Sequence, residues 1–537
     1  MRTTSYKIGP DSKGSLEDLK KIINQIEMFA QSSPLFSVPK KKALTEVLIR
    51  HSELAFMHIT GHGRNLKNVS ITMDQRTNEG LVQESLKWIL KWIFNYCPED
   101  NQKNKYTFPT RKEVFELFEF AYLYDLFKNL LFSTSHGSAS VAIYGKKLRF
   151  VDGKNGLFLA YNAWRLAYRE RELLNRIEKH GLEAIKEIQS SEFTMPEDWN
   201  FEGYSLSEFM KFSVSLDQLV VKWYKKHVEN NRIIHVGKYQ PKDLVKVNHL
   251  NWWVEQLSQI TSISRNKVKN IIEELTYSNN FFSDPAYQFF IPLKENILAL
   301  PIPFTASFVR PERNLLALIP KAKHNLFSKL SNDCESQQIE LIKKEIKNVK
   351  VLVGEKKTKA QEIRKGIDIL FLDTESLQLL VVELKWTVAP SSTREMYELD
   401  KKIQKGLTQM VQAKEYITSN FDDVLSEYFG TQFKGKTPID HEYCVVVNES
   451  IGTGEECSDD AHVITVDHLV ELLNIGVSHT ISTLRNNKHR VPREYFSEKD
   501  MKMKLLDYEI EFFGTELKGQ WLDETLPSCN SFHVLRS

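Results

Sequence analysis

Apolar positions in the C-terminal half of the chain gather in two short runs, Ile367 to Leu372 and Leu377 to Trp386, separated by Asp373-Thr374-Glu375-Ser376. Both runs are rich in β-branched and large aliphatic residues and the segment between them has turn composition, so the pattern predicts a β-hairpin. Folded about residues 375 and 376, its antiparallel partners sum to about 751, which sets Asp368 opposite Glu383. The strand period puts Leu379, Val381, Glu383 and Lys385 on one face, and Leu380, Val382, Leu384 and Trp386 on the other.

Helical periods flank this hairpin. Ser331 to Ile346 has polar capping residues followed by a stripe of Ile339, Ile342 and Ile346, and Lys401 to Ile417 reads as a second helix. His441 to Asn448 has the composition of a buried strand. A polar, Gly-containing loop to Asp460, a strand over Val463 to Asp467 and a helix over His468 to Asn474 follow. The order helix, strand, strand, helix, strand, strand, helix predicts an α/β sandwich around a mixed sheet.

Residues before this unit read as mainly helical, with amphipathic aromatic stretches such as Val114 to Phe127 and Asn162 to Tyr168, interrupted by a hairpin over Val141 to Val151. Aromatic stripes of this kind serve core packing far more often than base stacking. Ile260 to Leu275 combines a capping Ser264, an apolar pattern of Val268, Ile271, Ile272 and Leu275, and exposed Arg265, Lys267 and Lys269. Helix-turn-helix recognition helices and plain surface helices share that pattern. The expected organisation is a mainly helical region over 1–230, a small helical or winged-helix-like connecting unit over 231–320, the α/β unit over 321–480 and a polar C-terminal extension over 481–537.

The chemistry concentrates at one end of the central hairpin. Two carboxylates, Asp368 and Glu383, and one ammonium, Lys385, converge there. Such a set suits Mg²⁺ or Mn²⁺, hard cations that take oxygen ligands from one or two carboxylates and fill the remaining positions with water and substrate phosphate. A metal so held lowers the pKa of an attacking water, and Lys385 can orient that water or stabilise the pentacovalent state. The structural alternative is an ion pair on neighbouring strands, worth well under a kilocalorie where exposed.

Gly366-Ile-Asp368, a spacer, and Glu383-Leu-Lys385 resemble the core of the PD-(D/E)xK nuclease superfamily, which includes restriction endonucleases and RecB-like nucleases. The likeness spans roughly residues 320–480, with Ile367 where the superfamily's name has proline. It implies a restriction-endonuclease-like α/β core behind a large, mainly helical N-terminal region, with metal held by Asp368, Glu383 and the backbone carbonyl of Leu384, and Lys385 catalytic. A supporting glutamate on the preceding helix is implied at Glu335, with Glu340 as runner-up. Gln412 and Tyr416, four apart on one helix face, are similar to the Q-x-x-x-Y helix of RecB-like members, which contributes to the site and to DNA contact.

Charge changes this picture locally rather than globally. Lys and Arg number 72 against 70 Asp and Glu, a net charge of +2, yet residues 341–366 hold nine Lys or Arg against three Glu, so 9 − 3 = +6 just before Asp368. Lys356, Lys357, Lys359, Arg364 and Lys365 are the expected phosphate contacts. At 537 residues, two or three domains are expected, each with an ordinary soluble composition. Five scattered cysteines without a C-x-x-C pair suggest reduced thiols rather than disulfides or zinc. No apolar signal core opens the sequence and no stretch is long enough to span a membrane, so a cytoplasmic protein without membrane partners is expected. The absence of a G-x-x-x-x-G-K-[ST] loop argues against an ATP-driven motor.

The expected function is a metal-dependent deoxyribonuclease of restriction, phage-defence or repair type, with DNA as partner and the helical region available for partner proteins or a second copy. Competing readings are a nuclease fold used only as a scaffold or nucleic-acid-binding module, and a nuclease acting on RNA, since the metal chemistry serves either backbone.

Overall fold

The computed structural model of the protein describes residues 6–10, 12–59, 75–100, 106–152, 199–230, 241–280, 283–308, 315, 324–355, 367–387, 392–448, 457–458, 461–486 and 496–517. Asn162 to Tyr168 and the basic residues Lys356, Lys357, Lys359, Arg364 and Lys365 lie outside the described residues.

Four helices open the chain: α1 (Leu16–Gln31), α2 (Lys40–Ile59), α3 (Gln75–Tyr96) and α4 (Arg111–Ser135). Capping boxes start two of them, Ser15 with Asp18 and Thr110 with Glu113, so that side chains satisfy amides the helix leaves unbonded. Their apolar stripes meet in one core containing Leu19, Val47, Ile89 and Phe118. A hairpin follows, β1 (Ala139–Tyr144) and β2 (Lys147–Asp152), closed by Gly145 at φ 63°, a conformation glycine adopts without steric cost.

The middle of the chain contributes α5 (Leu206–Asn230), β3 (Val245–His249), α6 (Leu250–Thr261), α7 (Arg265–Glu274), β4 (Ile291–Lys294), β5 (Ile297–Pro301) and α8 (Ile302–Phe308). The strands form an antiparallel sheet in the order β3-β5-β4. Phe209, Phe212 and Leu216 of α5 share a core with Trp253 of α6, Ile271 and Ile272 of α7 and Leu298 and Leu300 of β5. Helix α5, grouped by sequence with the N-terminal region, is thus packed into the following unit.

The third assembly runs α9 (His324–Glu345), β6 (Val351–Glu355), β7 (Ile369–Asp373), β8 (Gln378–Lys385), α10 (Thr393–Ser419), α11 (Phe421–Phe429), β9 (Asp440–Val447), β10 (Cys457–Ser458), β11 (Ala461–Thr465), α12 (Val466–Ile475) and α13 (Val477–Arg485). Its mixed sheet has the order β10-β11-β9-β8-β7-β6, with β6, β7 and β8 antiparallel and β8, β9 and β11 parallel. Both faces are covered, which explains the near-continuous apolar runs. Leu379 and Val381 face α10 with Val445, whereas Leu380, Val382 and Leu384 face α12 and α13 with Val446 and Ile342 of α9. Each such buried aliphatic side chain contributes about 1.5–3 kcal/mol. Strand β6 is absent from the expected order of elements, its short apolar run being followed at once by lysines.

Residues after 480, expected as a polar extension, complete α13 and then form a hairpin of β12 (Phe496–Leu505) and β13 (Tyr508–Leu517). Strand β13 runs parallel to β2, making a third sheet in the order β1-β2-β13-β12. Charged residues along both strands hide their alternation in the sequence, yet Leu505 and Ile510 are buried with the N-terminal helices. Cross-strand pairs support the edge, Glu511 lying 2.8 Å from Lys147 and 2.7 Å from Lys502. Among the described residues no helix is long and apolar enough to cross a membrane.

Candidate active site

Strands β7 and β8 pair Ile369 with Val382 and Leu370 with Val381. Continued one step, that register sets Asp368 beside Glu383, and the Asp368 amide donates to the Val382 carbonyl at 3.0 Å. The Asp368 side chain is held as well, its Oδ2 accepting from the Leu384 backbone N–H at 2.7 Å. The contact observed from Leu384 is thus its N–H to Asp368, whereas its backbone carbonyl was the expected metal ligand; its side chain fills the opposite face of the sheet.

Glu383 is 3 % exposed, and Lys385 forms an ion pair with its Oε1. The other oxygen, Oε2, is buried with no hydrogen-bond partner. Burial first, and then the neighbouring Asp368 carboxylate, push the Glu383 carboxyl up to about 8, against the pull of Lys385.

Helix α9 brings Glu335 to the same place. Its carboxyl is pushed up by burial and by the charge of Asp368, and drawn down by Lys385, by the backbone N–H of Trp386 and by Lys402. Glu340 points away, exposed and paired with Lys343 at 3.0 Å. The stripe of Ile339, Ile342 and Ile346 decides between them: it seats one helix face on the sheet and leaves Glu340 in solvent.

Helix α10 crosses the site differently from the sequence expectation. Gly406 lies against the sheet so closely that a Cβ there would stand 2.9 Å from Val445 Cγ1 and 3.5 Å from Lys385 Cε. One turn earlier Lys402, half-buried, senses both Glu335 and Lys385; burial pushes its pKa down while Glu335 pushes it up. One turn later Gln409 turns a buried Oε1 inward, also without a hydrogen-bond partner. Gln412 and Tyr416 lie about 15 and 21 Å beyond Lys402 along the helix axis at 1.5 Å per residue. Gln412 is exposed, and Tyr416 packs its half-buried ring on the sheet core. The structure therefore gathers Asp368, Glu383, Lys385 and Glu335, adds Lys402, and leaves Gln412 and Tyr416 apart. The spacing of Lys402, Gly406 and Gln409, four and then three residues, was the sequence signal for the correct face.

The strand ends beyond Lys385 are clamped. Asn448 accepts from the Thr387 N–H at 2.8 Å and donates to its carbonyl at 2.7 Å, tying the exit of β8 to that of β9. Trp386 between them enters the core of the middle unit.

With every group ionised, three carboxylates and two ammonium groups leave this cluster at −3 + 2 = −1. A carboxylate pair of half-buried Asp368 and buried Glu383, with one Glu383 oxygen unpartnered, fits a divalent cation, which would offset the mutual repulsion that raises Glu383. Asp368 and Glu383 are the residues able to hold it. Among the described residues no three carboxylate, imidazole or thiolate groups form a metal-binding group.

Compared with known proteins, the chain matches no family model, no curated protein and no solved structure.

Proposed function

We propose that the protein is a metal-dependent nuclease that hydrolyses phosphodiester bonds of DNA, and that its C-terminal α/β assembly is a restriction-endonuclease-like core. The observation that carries this reading is the meeting of Asp368, Glu383, Glu335 and Lys385 around one strand end, with a buried Glu383 oxygen that no protein donor satisfies.

In hydrolysis a water oxygen bonds to phosphorus, the P–O bond to the leaving oxygen breaks, and the leaving oxygen takes up a proton, giving a phosphate monoester and a hydroxyl group. A bound Mg²⁺ or Mn²⁺ would supply Lewis-acid chemistry, lowering the pKa of the attacking water and screening the phosphate. Asp368 is oriented by the Leu384 N–H, and its carboxylate lies near enough to Glu383 for each to feel the other's charge. Lys385 places a positive charge where the transition state gathers negative charge, and it is held there by the carboxylates on either side. Glu335 and Lys402 set the charge balance around it. A role in restriction, phage defence or repair follows from the chemistry only by analogy of fold.

The test is cleavage of plasmid, linear duplex, single-stranded DNA and RNA by the purified protein with Mg²⁺ or Mn²⁺. Activity on DNA that Asp368→Ala and Lys385→Ala both abolish is the expected result. Equal cutting by either variant refutes the assignment, and cutting of RNA alone replaces the substrate.

A further inference from the structure

We infer that helix α7, presented by the turn after α6 and flanked by the β4–β5 hairpin, is a docking surface for the major groove of duplex DNA. The order α5, β3, α6, α7, β4, β5 with the sheet order β3-β5-β4 is that of a winged helix, a helix-turn-helix with a β-hairpin beside its second helix.

The turn is stiff. Ser262 adopts a left-handed conformation, φ 59° and ψ 23°, with its N–H on the Ser258 carbonyl, while the Ser258 hydroxyl donates to the Ile263 carbonyl at 2.8 Å. Ile263 is buried in the turn, and Val268, Ile271 and Ile272 anchor the inner face of α7. What remains outward is Arg265, Asn266, Lys269, Asn270 and Glu273, all exposed.

The chemistry of that face is uneven. Residues 265–270 read Arg-Asn-Lys-Val-Lys-Asn: Arg265 and Lys269 are the outward cations beside two amides, Lys267 is half-buried and paired with Glu208 at 2.6 Å, and the acidic Glu273 and Glu274 stand at the far end. Recognition helices meet base edges through their first residues, with Arg bidentate to guanine, Asn bidentate to adenine and Lys on phosphate. Arg265 now pairs with Glu255 at 2.9 Å and Lys269 with Glu273 at 3.6 Å. Exposed pairs of this kind are worth at most about 1 kcal/mol and exchange readily for phosphate. B-form DNA admits a helix in its major groove, whereas the deep, narrow major groove of A-form RNA does not, so duplex DNA is the partner.

This surface is tied to the candidate active site through packing. The core that anchors α7 also contains Trp386, next to Lys385, and Cys334, next to Glu335. DNA held by α7 is thus held by the same rigid cluster that borders the carboxylates. Its role in choosing what is cut rests on the nuclease reading, but the binding itself does not.

The experiment uses the full-length protein in EDTA, so that cleavage plays no part, with fluorescein-labelled mixed-sequence duplexes of DNA and of RNA read by anisotropy across a salt series. The triple variant Arg265→Ala, Asn266→Ala, Lys269→Ala is compared with Lys21→Ala, Lys112→Ala, which removes the same number of exposed cations elsewhere. The expected result is DNA binding that the α7 variant weakens on the order of tenfold or more, with a shallower salt slope, while the control keeps the parent affinity. Equal binding by the α7 variant, equal loss in the control, tighter binding of the RNA duplex, or no DNA binding overturns the inference. DNA binding that depends on α7 in a protein that never cuts would sustain the inference and refute the nuclease reading alone.

Discussion

Replacing Glu383 with Gln should stabilise the metal-free protein at pH 8 while abolishing the proposed hydrolysis. The carboxyl is held at about 8 in the folded chain against 4.5 for an ordinary glutamate, first by burial and then by Asp368. A carboxyl raised in this way contributes stability that is complete below its unfolded pKa and is lost as pH rises through the folded value. From pH 5 to pH 8 the wild type should therefore lose roughly 3 kcal/mol, at about 1.4 kcal/mol per unit. Glutamine has no proton to lose and should remove most of that slope. Lys385 loses its closest partner in the variant, which costs part of the gain, but it keeps Glu335 nearby. The assay is urea denaturation in EDTA at pH 5 and pH 8, followed by addition of Mg²⁺. Metal at tenfold excess over its dissociation constant should restore about 1.4 kcal/mol to the wild type and nothing to Glu383→Gln. A variant less stable than wild type at pH 8, or one with an unchanged pH slope, would refute this account of the site's electrostatics.

Two further substitutions probe packing and protonation elsewhere. Gly406→Ala gains about 1 kcal/mol of helix propensity, but its Cβ would meet Val445 Cγ1 at 2.9 Å. Overpacking of that kind costs roughly 1–3 kcal/mol, so the variant should be neutral to destabilised. Pairing it with Val445→Ala should recover the propensity gain, and stabilisation by Gly406→Ala alone, read from denaturation midpoints, would exclude the close approach. His51, fully buried with Nε2 2.7 Å from the Val82 carbonyl, is held down to about 4 by burial. Its lowered pKa means stability is present above pH 6.5 and is lost as pH falls toward 4, by roughly 3 kcal/mol. His51→Gln should flatten that acid loss in melts taken at pH 7 and pH 4.5, and an unchanged acid slope would count against a neutral buried imidazole.

Local periodicity determined a good deal of this protein. The turn at residues 373–376 and the strand period set the β7–β8 register, and the observed pairing of Ile369 with Val382 keeps the sum of 751 that places Asp368 by Glu383. A helical stripe separated Glu335 from Glu340 in the same way, because the buried face of an amphipathic helix is written in its own residues. Where α10 lies along the sheet was not legible. A helix period says which residues share a face but not which turn of that face meets a given strand, and only close packing at Gly406 puts Lys402 at the carboxylates and carries Gln412 and Tyr416 past them. Tertiary structure likewise decided that the C-terminal hairpin joins β2, a pairing between residues more than 350 apart, and that Trp386 docks the site onto the core anchoring α7. Such contacts follow from the mutual fit of surfaces distant in the chain, which no short window of sequence contains.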